Sequence, residues 1–184
     1  MDDSKTTSST LIKLGPGGSS SSGDDAWDEQ RKITQIFISY GKYSVTSLQF
    51  QYKEGGKLAL SPVYGNSKHD SPKFSTITLK DYTEYITGLT GYCTGRLGFG
   101  FGLCNDEEEY TWISSFTIET NKRKYGPFGH PGQKSRSGDD TFEFQIGPGN
   151  QFGGFYGSFG CVPVQSGIDH EVALTSIGVY LKPS

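Results

Sequence analysis

The stretch Tyr125–Gly129, with the sequence YGPFG, is followed by SGDD at Ser137–Asp140 and then by an aromatic run that begins at Thr141. The same order occurs near the start of the chain, where GPGG at Gly15–Gly18 precedes SGDD at Ser22–Asp25 and a second aromatic run. A glycine-rich loop that leads into an aromatic strand, repeated within one chain, predicts construction from similar structural units.

A weaker third copy runs from Tyr64–Asn66 to Ser71–Ile77, so the repeats predict pseudo-threefold symmetry. Elsewhere apolar and polar residues alternate with a period of two, which is the pattern of half-buried strands. This alternation is seen at Leu48/Phe50/Tyr52, Ile77/Leu79, Phe142/Phe144/Ile146 and Ile177/Val179/Leu181. Because alternate residues of a strand face opposite sides of a sheet, three antiparallel sheets arranged as a prism could bury one face each. The predicted fold class is therefore all-β.

Length and composition agree with this prediction and exclude several classes of protein. The chain has 184 residues, which fits one domain, and only 33% are hydrophobic while 26 are Gly. Few aliphatic residues and many glycines exclude a helical bundle. The net charge of -3 argues against nucleic-acid binding, and no apolar run is long enough for a membrane helix.

The acidic, polar residues 1–10 are predicted to be a disordered arm, and residues 11–184 a single domain. The arm lacks the basic and apolar regions of a secretory signal, and the chain has no Asn-x-Ser/Thr sequon. We therefore expect a cytoplasmic or nucleocytoplasmic location. Reduced thiols at Cys93, Cys104 and Cys161 fit that location, and a Cys93–Cys104 disulfide is the alternative.

Several motifs in a fixed order resemble the jacalin-related lectins, a mostly plant family. They are GPGG at Gly15–Gly18, TNxxxYGPFG at Thr120–Gly129, GFYG at Gly154–Gly157 and IGVYL at Ile177–Leu181. The resemblance implies a β-prism of three four-stranded antiparallel sheets with pseudo-threefold symmetry. It also implies binding of glycans or glycoproteins without catalysis or cofactor, in a site between the N-terminal glycine-rich loop and the loop before the last strand.

Within the family, mannose-type glycans are favoured over galactose-type ones, because an uncut arm precedes Gly15 here while galactose-preferring members carry a separate short chain. The resemblance also implies a role in plant stress or defence, and it leaves homo-oligomerisation open. A protein-interaction scaffold that kept the prism and lost sugar binding is the alternative function.

The chain departs from the family where the sugar-binding Asp is expected, because the motif there reads Leu174-Thr175. A threonine hydroxyl cannot act as a charged double acceptor for two sugar hydroxyls. Two insertions, around residues 95–108 and 161–171, fall in loops that the family brings to one end of the prism. Either they rebuild the pocket or they are surface elaborations beside a lost site, and both alternatives stay open.

In the rebuilt pocket, Asp169 or Glu171 replaces the missing carboxylate, and Tyr92, Phe99 or Phe101 lines it. The predicted carbohydrate-binding residues are Gly23, Tyr92, Asp169, Val172, Ala173 and Thr175. Catalysis by the adjacent carboxylates Asp24–Asp25 or Asp139–Asp140 is disfavoured, because neighbours on a strand face opposite sides and turn residues cap their own backbone. The isolated His69, His130 and His170 likewise predict no metal site.

Overall fold

The computed structural model describes residues 10–19, 24–66, 72–80, 83–97, 109–130, 141–147, 150–163 and 170–183. These residues form strands and connections, and among them is no helix long and apolar enough to span a membrane. The strands build three antiparallel sheets around one core, which confirms the predicted all-β prism.

Sheet I contains both ends of the described chain. Its strand order is β1–β13–β12–β2, and the strands are β1 (Ile12–Gly18), β2 (Asp25–Glu29), β12 (Asn150–Pro163) and β13 (His170–Pro183). Strands β12 and β13 form a hairpin with 14 residues on each side.

Sheet III is built in the same way from the middle of the chain. Its order is β10–β9–β8–β11, and the strands are β8 (Ile86–Leu97), β9 (Glu109–Thr120), β10 (Lys124–Gly129) and β11 (Thr141–Gln145). In both sheets a Gly-Pro strand flanks one side of a long hairpin and an aromatic strand flanks the other. The Gly-Pro peptide bonds at Gly15 and Gly126 are both cis, and both glycines have positive φ. The first and last sequence repeats therefore occupy equivalent places.

Sheet II has the order β5–β4–β3–β7, with a short β6 that pairs with β4 beyond the end of β5. Its strands are β3 (Ile33–Tyr40), β4 (Val45–Glu54), β5 (Lys57–Leu60), β6 (Tyr64–Gly65) and β7 (Lys73–Thr78). The prediction of three four-stranded sheets thus holds for sheets I and III, while sheet II has a fifth, two-residue strand. The weak third repeat corresponds to β6 and β7.

The core lies between the three sheets and follows the predicted alternation. Leu48 and Phe50 of sheet II, Phe116 of sheet III and Phe155 of sheet I are each 1% exposed. Full burial of one such side chain contributes about 1.5–3 kcal/mol, so this interior is what holds the sheets together. Phe142 of the last repeat is half-buried and packs against the same cluster.

Candidate functional site

The two long hairpins, β8–β9 and β12–β13, meet at one end of the prism. Trp112 of β9 packs with Val162 of β12 and Ala173 of β13 in a small cluster apart from the main core, which we call the stem cluster, and half-buried Tyr110 lies against it. Trp112, Val162 and Ala173 are each less than a tenth exposed. The stems of both enlarged loops are therefore held side by side.

The β3–β4 hairpin of sheet II joins them at the same end. The Trp112 indole N–H donates a hydrogen bond of 2.9 Å to the Tyr43 carbonyl. The buried Ser44 hydroxyl donates to the Glu171 carboxylate across 2.5 Å. One hairpin from each sheet thus contributes described residues to this end of the prism.

Thr175 lies at a β-bulge in β13, two residues before the regular Ile177. Ser176 pairs with Ser158 and Leu174 pairs with Phe159, so Thr175 has no opposite residue in the register. Bulges re-aim a side chain and are frequent beside functional sites. The bulge therefore marks the position where the sugar-binding Asp is expected.

A chain of hydrogen-bonded hydroxyls leads from the interior of sheet I to a carboxylate. Ser176 and Ser158 are 2.6 Å apart, Ser158 and Thr175 are 2.8 Å apart, and the Thr175 hydroxyl donates to Asp24 Oδ2 at 2.6 Å. A hydroxyl has one proton, so when Thr175 donates to Asp24, it accepts from Ser158, which accepts from Ser176. All three protons then point toward Asp24. We call Asp24, Ser158, Thr175 and Ser176 the hydroxyl array.

Backbone approaches the hydroxyl array closely on two sides. The Ser19 N–H donates to the Thr175 carbonyl at 3.1 Å, and a Cβ on Gly18 would lie 2.2 Å from that oxygen. A Cβ on Gly160 would lie 2.1 Å from Asp24 Oδ1. Only glycine leaves room for these contacts, so the end of β1, the bulge of β13 and the carboxylate before β2 form one compact unit.

Comparisons with known proteins identify the family to which this fold belongs. Residues 14–168 match the model of the jacalin-like lectin domain. The chain belongs to the jacalin-like lectin family. In Arabidopsis thaliana, Inactive protein RESTRICTED TEV MOVEMENT 1 is 35% identical to this lectin-like chain, and Jacalin-related lectin 2 is 34% identical; each alignment covers 94% of this chain and 87% of the relative. The mannose-binding lectin from champedak has a TM-score of 0.63 and 27% identity, over 94% of this chain and 97% of its own.

In this jacalin-like domain, three of the predicted site residues lie on β13. Thr175 is 2% exposed and belongs to the hydroxyl array, and Ala173 is fully buried against Trp112. Val172 is half-buried against the main core. Ala173 could therefore meet a ligand only through its backbone, whereas part of the Val172 side chain is accessible.

Of the remaining predicted residues, the structure describes only Tyr92, which is not part of the hydroxyl array. Tyr92 is 44% exposed on β8 of sheet III, where it lies opposite Ser115 and Thr141 in the register. Gly23 and Asp169 lie outside the described residues, as do Phe99, Phe101 and Cys104. Glu171, the alternative carboxylate, is described and accepts the hydrogen bond from Ser44.

Sequence reasoning missed Asp24 as a partner of the expected sugar-binding position. The aspartate was interpreted as a turn residue of the SGDD repeat, and 151 residues separate it from Thr175. No spacing rule connects such distant positions, but the place of Asp24 directly after the glycine-rich loop was a signal. Tyr110, beside the stem cluster, was also missed.

The carboxylate pair Asp24–Asp25 does not form an acid–base dyad in the lectin domain. Asp24 is held by Thr175, whereas Asp25 begins β2 as an exposed residue. Within the described ranges, no group of three or more His, Cys, Asp or Glu side chains could hold a metal ion. The family model and the lectin neighbours associate this fold with carbohydrate binding.

Proposed function

We propose that this protein binds glycans, without catalysis, at the end of the prism where the hydroxyl array lies. The observation that carries the proposal is the 2.6 Å hydrogen bond from Thr175 to Asp24. It brings a carboxylate to the position where the family's sugar-binding Asp is expected, although the residue there is Thr. Asp24 then takes the role of charged acceptor.

The hydroxyl array suits this role physically. A carboxylate can accept about four hydrogen bonds, and charge-assisted bonds are roughly twice as strong as neutral ones. The aligned hydroxyls of Ser176, Ser158 and Thr175 hold the Asp24 carboxylate in place, and its remaining lone pairs can accept from sugar hydroxyls. Asp24 is half-buried at the surface, which leaves its site shallow and a single sugar weakly bound.

We further propose mannose-type glycans as ligands, a cytoplasmic or nucleocytoplasmic location, and a role in plant stress or defence. The structural likeness to mannose-binding lectins from champedak and Ananas comosus supports the first of these. The exposed free thiol of Cys161 supports a reducing compartment, because exposed thiols oxidise readily elsewhere. Partners would be glycans or glycoproteins, and homo-oligomerisation remains a prediction.

One observation favours the scaffold alternative. Thr175 is 2% exposed, and its hydroxyl is already bonded to Asp24 and Ser158. Because internal hydrogen bonds already occupy the residue expected to bind the sugar, this observation favours a pocket that is closed to sugars. In that case the stems at this end of the prism would hold a protein partner rather than a sugar.

A glycan array probed with the full chain and three variants separates these possibilities. Asp24→Asn removes the charge while keeping the shape, and Asp25→Asn is the matched control on the adjacent exposed residue. Asp169→Ala tests the carboxylate that the sequence predicted. Free methyl α-mannoside serves as competitor.

We expect a mannoside-competable signal that is lost in Asp24→Asn and retained in Asp25→Asn. Loss in Asp169→Ala with retention in Asp24→Asn would assign the acceptor to Asp169 instead. A blank array for the unaltered, folded chain would contradict glycan binding and leave the scaffold function.

A further inference from the structure

A groove of about 220 Å³ lies on the solvent face of sheet III, outside the site described above. Two rows of side chains cross its floor from β11 through β8 to β9. The first row is Thr141, Tyr92 and Ser115, and the second is Glu143, Thr90 and Thr117. Neighbouring strands are about 4.8 Å apart and the rows about 7 Å apart, so this floor has the dimensions of one or two sugar rings.

The floor of the groove contains a hydroxyl without a partner. Ser115 is fully buried, and among the residues that the structure describes its Oγ has no hydrogen-bond partner. An unsatisfied buried polar group costs about 1–3 kcal/mol, so a ligand that bonds to Ser115 recovers this cost. Most buried hydroxyls are paired, and an exception inside a groove points to a ligand or a water.

The surrounding groups select the chemical class of that ligand. Four aliphatic hydroxyls and one phenol can each donate and accept, and Glu143 adds a charged acceptor. The half-exposed ring of Tyr92 and the ring of Pro127 supply apolar surface at the same place. Among the described residues that line the groove none is cationic, and the Glu143 carboxylate would repel an anionic ligand.

We propose that this groove is a second carbohydrate site, which binds a neutral sugar ring or a short neutral glycan. The sugar hydroxyls bond to Ser115, the threonines and Glu143, and the Tyr92 ring covers an apolar face of the sugar. The site goes beyond the proposed function, because it lies on the outer face of sheet III and uses no residue of the hydroxyl array. Two sites on one chain would let a branched glycan gain affinity through multivalency.

An NMR titration of the full ¹⁵N-labelled chain tests this proposal. The probes are methyl α-mannoside, methyl α-glucoside and methyl α-galactoside, each taken to high millimolar concentration. We expect saturable shifts of the amides of Thr90, Ser115, Thr117 and Thr141 with at least one probe. The same shifts should persist in Asp24→Asn. Loss of sugar binding at the hydroxyl array in that variant would bear on the proposed function and not on the groove.

Variants sharpen the test. Ser115→Ala should weaken binding in the groove about fivefold, since it removes about one hydrogen bond, while the free energy of unfolding stays the same or rises. Tyr92→Ala should weaken it further, whereas Tyr85→Ala, which removes a 60% exposed tyrosine elsewhere, should not.

Three results would overturn the proposal. One is the absence of saturable shifts in the groove with all three probes while the chain is folded. Another is loss of the groove shifts in Asp24→Asn, which would mean a single site. The last is groove shifts that depend on protein concentration without sugar, which would make this face a self-association surface.

Discussion

At the scale of single residues, the decisive feature is the exchange of roles between positions 175 and 24. Thr175 is the donor where the family's pattern expects an acceptor, and Asp24 supplies the acceptor from a different strand connection. The carboxylate is therefore contributed by a different residue, which lies one hydrogen bond away from position 175. Gly160, which has no side chain to block the carboxylate, makes the exchange sterically possible.

We expect Thr175→Val to lower the free energy of unfolding by about 2 kcal/mol. The substitution keeps the shape but removes a buried donor to a carboxylate, and it leaves the Ser158 hydroxyl without that acceptor. Urea unfolding followed by tryptophan fluorescence measures the change. Thr76→Val, on an exposed position of β7, is the control and should be nearly neutral. Equal stability of the two variants would show that the array contributes no net stability.

The sequence predicted Thr175 as the departure from the family pattern, and the structure places it at the bulge of β13. The partner Asp24 could not be predicted, because a hydrogen bond between distant strand connections depends on the register of both. The bulge was equally invisible, since an extra residue in one strand appears only when the opposite strand is known.

At the scale of elements, the end of the prism is organised by Trp112. Its ring joins the stems of two hairpins, and its N–H reaches the turn of a third. The alternation of apolar residues predicted the strands well, and the family resemblance implied that the two enlarged loops would lie at one end. The contact of the Trp112 ring with Val162 and Ala173 was not predicted, because the sequence indicated only that Trp112 belongs to an apolar strand.

The two tryptophans provide a matched test of this organisation. Both are 7% exposed, but the Trp112 N–H is bonded to the Tyr43 carbonyl whereas the Trp27 N–H has no partner among the described residues. We expect Trp112→Phe to lower the free energy of unfolding, measured by urea unfolding, by about 1 kcal/mol more than Trp27→Phe does. The comparison is made after correction for the ring atoms that each substitution removes.

Hydrogen exchange gives the structural readout of the same pair. In Trp112→Phe, the amides of Val162 and Ala173 should exchange faster, because the stem cluster loses part of its packing. In Trp27→Phe these amides should be unaffected. Equal exchange in both variants would show that the stems are held by other contacts.

At the scale of the whole molecule, a buried carboxylate links stability to pH. The side chain of Glu84 is fully buried, and Tyr125 and Thr120 donate hydrogen bonds to it at 2.8 and 3.0 Å. Burial raises the pKa of Glu84, but these hydrogen bonds, with the nearby charge of Arg123, outweigh burial and lower the pKa below its ordinary value.

The sign of the pH dependence follows from that direction. The stabilisation by ionised Glu84 is complete above the ordinary pKa and is lost as the pH falls through the lower pKa of the folded state. We expect Glu84→Gln to flatten the fall of unfolding free energy below about pH 4.5, measured by urea unfolding at successive pH values. The exposed Glu54→Gln is the control. If the unfolding free energy fell as steeply with decreasing pH in Glu84→Gln as in the unaltered chain, the proposed contribution of ionised Glu84 to stability would be contradicted.

The whole-molecule architecture was the most predictable level. Repeated glycine-rich motifs and period-two alternation are properties of the sequence itself, so three sheets and their pseudo-symmetry followed directly. Exposed apolar residues on sheet II were not predicted, and Leu58, Leu60 and Phe74 are each more than half exposed. Self-association, still a prediction, would be sought first on that sheet.

The stem cluster also has an evolutionary consequence. Its packing is made by Trp112, Val162 and Ala173, which all lie within strands β9, β12 and β13. Substitutions outside these strands therefore leave the contacts among these three residues in place. Selection can diversify ligand preference there while the frame stays folded, much as grafted loops are exchanged on a display protein.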